Sequence, residues 1–355
     1  MIVPLKIKTP LLDLKPLTPE DVPSPDSPEF CAFLDTYFTY GETLAGTMDK
    51  WKKHSVKCDG TVQIVNLHNS AGCLEAKKQL GIKEYWCGRI SIHTSQSIRQ
   101  IEHPLPRRSS SQYNPLTLVH AISHSLHLDT PSSTTSPGAP EEPHRRQPPI
   151  NGDGNESNLH AIVEDEVDEQ TRQAKVMNDA PETLYERFRR GLLEYHSENE
   201  REYIESCRET ECLQVFQPHV AEVWRLTYKT PPPTNPRTFV VLLLSRELKT
   251  DPKGQREFMN ISIPFDHPNC PPKQGGEKSR VRGAYVSVER VRELDEGTKV
   301  EWKMATSSDA GGNVLRFMTN ASLPGKIAED VPSFLKWMVR RFPQGGEVAS
   351  HPASA

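Results

Sequence analysis

No stretch of eighteen apolar residues occurs in this chain of 355 residues, so no segment reads as a membrane-spanning helix. The longest apolar run, Phe239–Leu244, has the length of one strand. Met1–Pro10 is broken by Pro4, Lys6 and Lys8 and reads as neither a signal peptide nor an anchor. The 7 cysteines are odd in number and include no Cys-x-x-Cys pair, which reads as reduced thiols in a cytoplasmic protein. The Asn-x-Ser sequons at Asn155, Asn260 and Asn320 then carry no weight. Positive charge is not in excess: the net charge of −4 argues against a strongly basic nucleic-acid binder. A Gly-x-Ser-x-Gly elbow, a Walker A loop and a Gly-x-Gly-x-x-Gly turn are all missing. A hydrophobic content of 35% beside 31 prolines is low for a chain folded end to end. One core plus a sizeable disordered fraction is expected.

What is present is alternation. Trp224, Leu226 and Tyr228 alternate with Val223, Arg225 and Thr227, and Val300, Trp302, Met304 and Thr306 alternate with Lys299, Glu301 and Lys303. Period two predicts a sheet with one buried and one wet face. Strands are expected over Thr61–Leu67, Tyr85–Thr94, Val220–Lys229, Thr238–Arg246, Arg256–Pro264, Arg282–Val291 and Thr298–Ser307, joined by turn-like links. A first helix follows Ser27 and Pro28 with Phe30, Phe33, Leu34, Tyr37, Leu44 and Met48 at helical spacing, weakened by Gly41 and Gly46. Leu184, Phe188, Leu192 and Tyr195 mark another helix, and Ser197 with Glu200 has the form of a capping box for the next. Ile327, Val331, Phe334, Leu335 and Met338 stripe a C-terminal helix that Pro332 opens or kinks. From 95 to 178 serine, proline, glycine and charge take over, which reads as a disordered insert. The organisation expected is an N-terminal helix and first strands over 1–94, the insert over 95–178, the main domain over 179–342 and a disordered tail over 343–355. This is an α+β fold, a curved antiparallel sheet wrapped around a long C-terminal helix.

WCGRISIH (Trp86–His93), FRRGLLEYHSENEREYI (Phe188–Ile204) and VWRLTYKTP (Val223–Pro231) resemble a fungal START-like family of unknown function within the helix-grip lipid-transfer superfamily. MNISIPF (Met259–Phe265), VEWKMATSSDAGGN (Val300–Asn313) and LPGKIAEDVPSFLKWM (Leu323–Met338) extend the likeness in the same order. It implies a curved sheet gripping the C-terminal helix, with an apolar tunnel between them. Members of the wider superfamily carry sterols, phospholipids or other apolar ligands, and some cyclise polyketides. The resemblance carries over no ligand for this family, and the long insert after His93 departs from its spacing.

On that reading Trp224, Leu226, Tyr228, Tyr285, Trp302 and Met304 line the tunnel, and Phe334, Leu335 and Met338 close it. The alternative is a solid core filled by the same side chains. Burying about 400 Å² of apolar ligand at roughly 25 cal/mol/Å² yields about 10 kcal/mol before immobilisation costs, so no catalytic group is needed for holding. Arg89 and His93 share a strand face with Ser91, and Arg89 suits a phosphate or carboxylate head group. The alternative there is a solvated or hydrogen-bonded edge-strand face.

His120, His124 and His127 fall on one helical stripe, but no acidic or cysteine ligand stands near them in sequence, so no metal is expected. Cys207 and Cys212 read as ordinary cysteines at a helix end. Glu289, Glu293 and Glu301 read as an exposed acidic face. Hydroxyls after Arg107–Arg108, and Thr18, Ser24, Ser27 and Ser136 before proline, suit kinases.

The function expected is binding, with transfer left open, of a lipid or other apolar ligand without covalent chemistry and without a cofactor. A transient membrane-surface contact and the oligomeric state stay open, and nucleic acid is not an expected partner. The alternatives are a cyclase-like enzyme, which needs Arg89, His93, Glu289 or Tyr285 turned inward, and a solid scaffold whose insert recruits partners.

Overall fold

In the computed structural model, residues 12–67, 71–102, 182–230, 234–250, 254–271 and 281–343 are described. The histidine cluster at 120–127, most of the insert and the tail lie outside them. Helix α1, Pro28–Thr47, starts after Ser27 as expected, although the Ser27 hydroxyl caps nothing. Its glycine at position 41 is a packing requirement: a Cβ there would stand 2.5 Å from Met259 Sδ and 2.9 Å from Ile261 Cδ1. The helix therefore approaches the sheet more closely than any larger residue allows.

The strands are β1 (Lys52–Lys57), β2 (Val62–Asn66), β3 (Cys87–Thr94), β4 (Cys207–Gln217), β5 (Ala221–Tyr228), β6 (Arg237–Glu247), β7 (Glu257–Pro264), β8 (Val281–Arg282), β9 (Ala284–Leu294) and β10 (Lys299–Asp309). They form one sheet in the order β1-β2-β3-β10-β9-β7-β6-β5-β4, with β8 beside β6. Every neighbouring pair on that path is antiparallel. The remaining helices are α2 (Ala71–Leu80), α3 (Ser95–Glu102), α4 (Leu184–Arg189), α5 (His196–Tyr203) and α6 (Arg316–Arg341).

Both faces of the sheet are covered, which corrects the expectation of a wet face. Helix α1 packs with Val223, Val240, Leu242, Met259, Ile261, Val286 and Val288 on the outer face. Lys303, read as solvent-facing, is 3% exposed, with Nζ 2.8 Å from Asp49 Oδ2. Helix α6 packs on the inner face with Trp302, Val300, Phe258 and Val291. The sheet-and-gripped-helix architecture is the one expected.

Several local expectations change. Regular structure continues past residue 94 through α3. The Leu184–Tyr195 helix is α4 followed by a π-helical turn, Arg190–Glu194. Gly191 sits in that turn because a Cβ would lie 2.7 Å from the Phe334 ring. The Ser197–Glu200 capping box does not form: α5 starts after Tyr195, Ser197 Oγ has no partner, and Glu200 turns inward. Cys207 and Cys212 lie on β4 rather than at a helix end. Helix α6 runs unbroken through Pro324 and Pro332. No helix among the described residues is long and apolar enough to cross a membrane.

Candidate ligand site on the inner face

Antiparallel register builds the site in transverse rows, because directly opposed residues share a face. One row runs Arg89–Met304–Glu289–Asn260–Ser245. The next runs Ser91–Trp302–Val291–Phe258. On the other side come Thr306–Ser287–Ser262–Leu243, and further along Trp224 opposes Val241 and Leu226 opposes Phe239. Trp224, Leu226, Tyr228, Tyr285, Trp302, Met304, Arg89 and His93 therefore all occupy the inner face.

That face divides in two. Around Trp302 it is solid. The Trp302 ring lies 5.1 Å from Phe334 and 5.6 Å from Phe188, and Phe334 meets Tyr203 at 5.4 Å. Leu335 and Met338 are buried in the same cluster. These side chains fill their own space. Trp224, Leu226, Val241 and Leu243 form a separate apolar cluster, with Tyr228 and Tyr285 against it. The neighbouring α5, HSENEREY, is polar. Tyr228, Tyr285 and Met304 remain only half-buried.

Between the start of α5 and this wall is a cavity of about 10 Å³, bordered by Trp224, Leu243, His196 and Ser197. Through Leu193, Glu194, His219 and Ser245 it adjoins an open groove of about 680 Å³, which also touches Cys31 and Arg246.

Ionisable groups collect where the two halves meet. Arg89, Ser91 and His93 are 2%, 2% and 3% exposed, because β3 is an interior strand between β2 and β10. The face is therefore neither at a sheet edge nor solvated, although it is hydrogen-bonded, as the alternative allowed. Arg89 Nη2 lies 3.4 Å from Glu289 Oε1, and its guanidinium sits 3.8 Å from the Trp302 ring centroid. Glu289 accepts from Trp302 Nε1 at 2.8 Å and from Asn260 Nδ2 at 3.3 Å, and His196 Nδ1 stands 3.8 Å away.

The exposed acidic face is overturned as well. Glu289 and Glu293 are both 7% exposed. Glu293 holds Arg256 at 2.8 Å, and Glu301 accepts from Arg292 at 2.9 Å. Burial depresses the Arg89 pKa, against the opposing pull of Glu289. Burial, then Arg89, pushes His93 down to about 4. His93 is neutral at pH 7 and shares a hydrogen bond with Ser91 Oγ at 2.9 Å.

Sequence reasoning missed several inner-face groups. Glu200 accepts from the Tyr228 hydroxyl, and burial raises its pKa. Burial pushes Asp330 up to about 7, with Arg89 pulling down and Glu200 and Glu289 pushing further up. Burial, then Glu200, holds the Tyr203, Tyr228 and Tyr285 phenols well above their ordinary value. A signal existed for Asp330: it interrupts the Ile327–Val331–Phe334 stripe of α6 with a carboxylate. Asn260 had no such signal, because the inner positions of β7 (Phe258, Asn260, Ser262) are mixed and its other apolar residues face α1. Among the described residues no group of three His, Cys, Asp or Glu is set to hold a metal ion.

Residues 171–338 match the family described as "Protein of unknown function (DUF3074)". An uncharacterized protein of Schizosaccharomyces pombe is 25% identical over 163 residues, 45% of this chain. The match spans 65% of that relative, just under two thirds of its length. Human STARD10 resembles the chain with a TM-score of 0.43 and 11% identity, over 91% of this chain and 86% of that one. Human StAR-related lipid transfer protein 5 resembles it with a TM-score of 0.49 and 12% identity, over 88% of this chain and 99% of that one.

Proposed function

We propose that this protein binds a lipid or other apolar ligand against the Trp224–Leu226–Val241–Leu243 wall, without covalent chemistry. The observation that carries the reading is the mismatch over that wall: four large apolar side chains stand apart from the α6 core and neighbour a polar helix. Tyr228 and Tyr285 pack against this wall, whereas Trp302, Phe334, Leu335 and Met338 belong to the separate packed core. An apolar guest gains about 25 cal/mol for each Å² it shields from water. Hydroxyls and carboxyls at the far end fix its orientation. Transfer between membranes and a cytoplasmic location belong to the same proposal.

Native mass spectrometry of gently purified protein tests it. The expected result is a bound lipid that organic solvent extracts. Leu243→Trp, which fills the cavity beside Trp224, should abolish that bound mass while circular dichroism stays native. Ligand-free protein that takes up nothing from liposomes would overturn the proposal.

One observation favours a cyclase-like enzyme as the second reading: Arg89, His93, Glu289 and Tyr285 all turn inward, beside a carboxyl pushed up to about 7. A carboxyl at that pKa suits proton transfer near neutrality. Conversion of a polyketide-like substrate that Asp330→Asn abolishes, with substrate binding unchanged, would support this reading over simple carriage.

A further inference from the structure

The closed cavity beside Trp224 holds only about 10 Å³, so an apolar guest reaches that wall only when a boundary of the inner face parts. Two boundaries differ in what holds them. Helix α6 closes one side. Its Phe334 ring meets Phe188, Tyr203, Trp302 and Trp337 at centroid distances of 5.1 to 5.9 Å. Moving α6 breaks all of these contacts together and opens the core that stabilises the fold.

The other side is a seam between two irregular segments. One is the π-helical turn Arg190–Glu194, which is braced as far as Leu192: Asn199 Nδ2 donates to the Gly191 carbonyl at 3.0 Å, and Asn260 Nδ2 donates to the Leu192 carbonyl at 2.8 Å. At Tyr195 the backbone leaves helical geometry, with φ −134° and ψ 53°, before α5 begins. The second segment is the turn between β4 and β5, where His219 holds a φ of 57° that few non-glycine residues adopt. Across the seam the Tyr195 ring meets His219 edge-on at 5.5 Å, and Tyr195 is 47% exposed.

Outside this seam lies the open groove of about 680 Å³, and inside it lies the cavity against Trp224 and Leu243. Leu193, Glu194, His219 and Ser245 border both spaces, so one layer of side chains separates them. The arginines of the groove are already countered, Arg189 by Glu194 and Glu247 and Arg246 by Asp35, so an apolar guest crosses no unpaired guanidinium. Swinging Tyr195 off His219 exposes that layer and leaves the Phe334 cluster untouched.

Resting on the ligand reading above, we infer that the apolar ligand enters from this groove, between the π-helical turn and the β4–β5 turn with Tyr195 as the gate, and not by displacement of α6. Local opening of an irregular segment sets the rate of entry, while the packed side of the inner face stays closed.

The test uses the full chain, freed of lipid, with phenylnaphthylamine as an uncharged apolar fluorescent probe. Cys31 is exposed and lines the groove, whereas Cys212 is exposed on β4 outside that lining. In a Cys212→Ser background, a bulky maleimide on Cys31 should slow probe uptake roughly tenfold in stopped flow without lowering the final signal. Tyr195→Ala, without a label, should speed uptake and release together. Uptake within twofold of the unlabelled reference in either case overturns the inference and leaves the ligand reading standing. A label that abolishes the final signal places the probe in the groove itself and overturns the inference equally. If the probe does not bind but lipid co-purifies, reloading of the extracted protein from its own lipid, followed by native mass spectrometry, gives the same two comparisons. If no probe binds and no lipid co-purifies, the ligand reading itself falls and takes this inference with it.

Discussion

Strands β5 and β3 look onto one interior with opposite chemistry. β5 turns Trp224, Leu226 and Tyr228 inward. β3 turns Arg89, Ser91 and His93 inward and leaves Ile92 53% exposed on the other side. By alternation alone, β3 should have buried its isoleucines. It buries the polar row because partners from distant segments satisfy it: Glu289 and Trp302 hold Arg89, and His93 lies between Ser91 and the Phe188 ring. Alternation assigns residues to a common face. Which face becomes interior depends on what the rest of the chain brings to it.

The sharpest way to break the division is to delete one tryptophan from each half. Trp302→Ala removes a ring that touches Phe188 and Phe334, lies under Arg89 and donates to Glu289. A loss of about 3–5 kcal/mol is expected in urea unfolding. Trp224→Ala removes a ring whose indole nitrogen reaches Glu222 at 3.0 Å beside the small cavity. Its cost should be about 1–2 kcal/mol, with ligand occupancy lost instead. Equal destabilisation by the two would mean that the β5 wall is as solidly packed as the Trp302 core.

The next largest effect concerns the pair that joins the halves. Glu289→Leu strands the Arg89 charge in a buried setting and should cost roughly 3 kcal/mol. Arg89→Met together with Glu289→Leu should recover most of that loss, because two apolar side chains avoid the desolvation that the ions suffer. A double-mutant cycle measures the coupling. Coupling near zero would mean that Arg89 and Glu289 are held independently of each other despite their 3.4 Å approach.

The same division explains what could be read from the amino acids alone. Strands β5, β6, β7, β9 and β10 were legible to within a few residues, since each pairs with a sequence neighbour or near neighbour and carries apolar residues at period two. β4 was not: Cys207–Gln217 is polar, lies at a sheet edge and is interrupted by three register shifts. β1, KKHSVK, is an edge strand of the same character. The apolar residues of the inner face were legible because a shared face needs only alternation. The polar ones were not, because Glu200, Asp330 and Asn260 acquire meaning only when α5, α6 and β7 converge on Arg89. Trp302 and Phe334, read as tunnel lining and lid, lie in one packed aromatic cluster, and only packing distances separate a core aromatic from a wall aromatic.

The smallest effects are those of pH, and they oppose each other across the two sides of the inner face. Asp330 keeps its proton in the folded chain up to about 7, whereas the unfolded chain releases it near the ordinary 3.8. Between those values folding binds the extra proton, so stability falls as pH rises through the window, and the loss is complete above about 7. Asp330→Asn should therefore stabilise the protein by roughly 2 kcal/mol at pH 8 and by almost nothing at pH 4. His93 works from the acid side. The folded chain holds it neutral down to about 4, while the unfolded chain takes up a proton near 6.5, so stability falls as pH drops through that window. His93→Gln, which keeps a polar contact for Ser91, should recover roughly 1 kcal/mol at pH 4.5 and leave the pH 8 midpoint little changed. An NMR titration separates this from a packing effect: the His93 ring protons should stay flat between pH 5 and 8. A His93 that titrated near 6.5 would place water against β3, and the polar side of the inner face would then not be the dry interior that its burial describes.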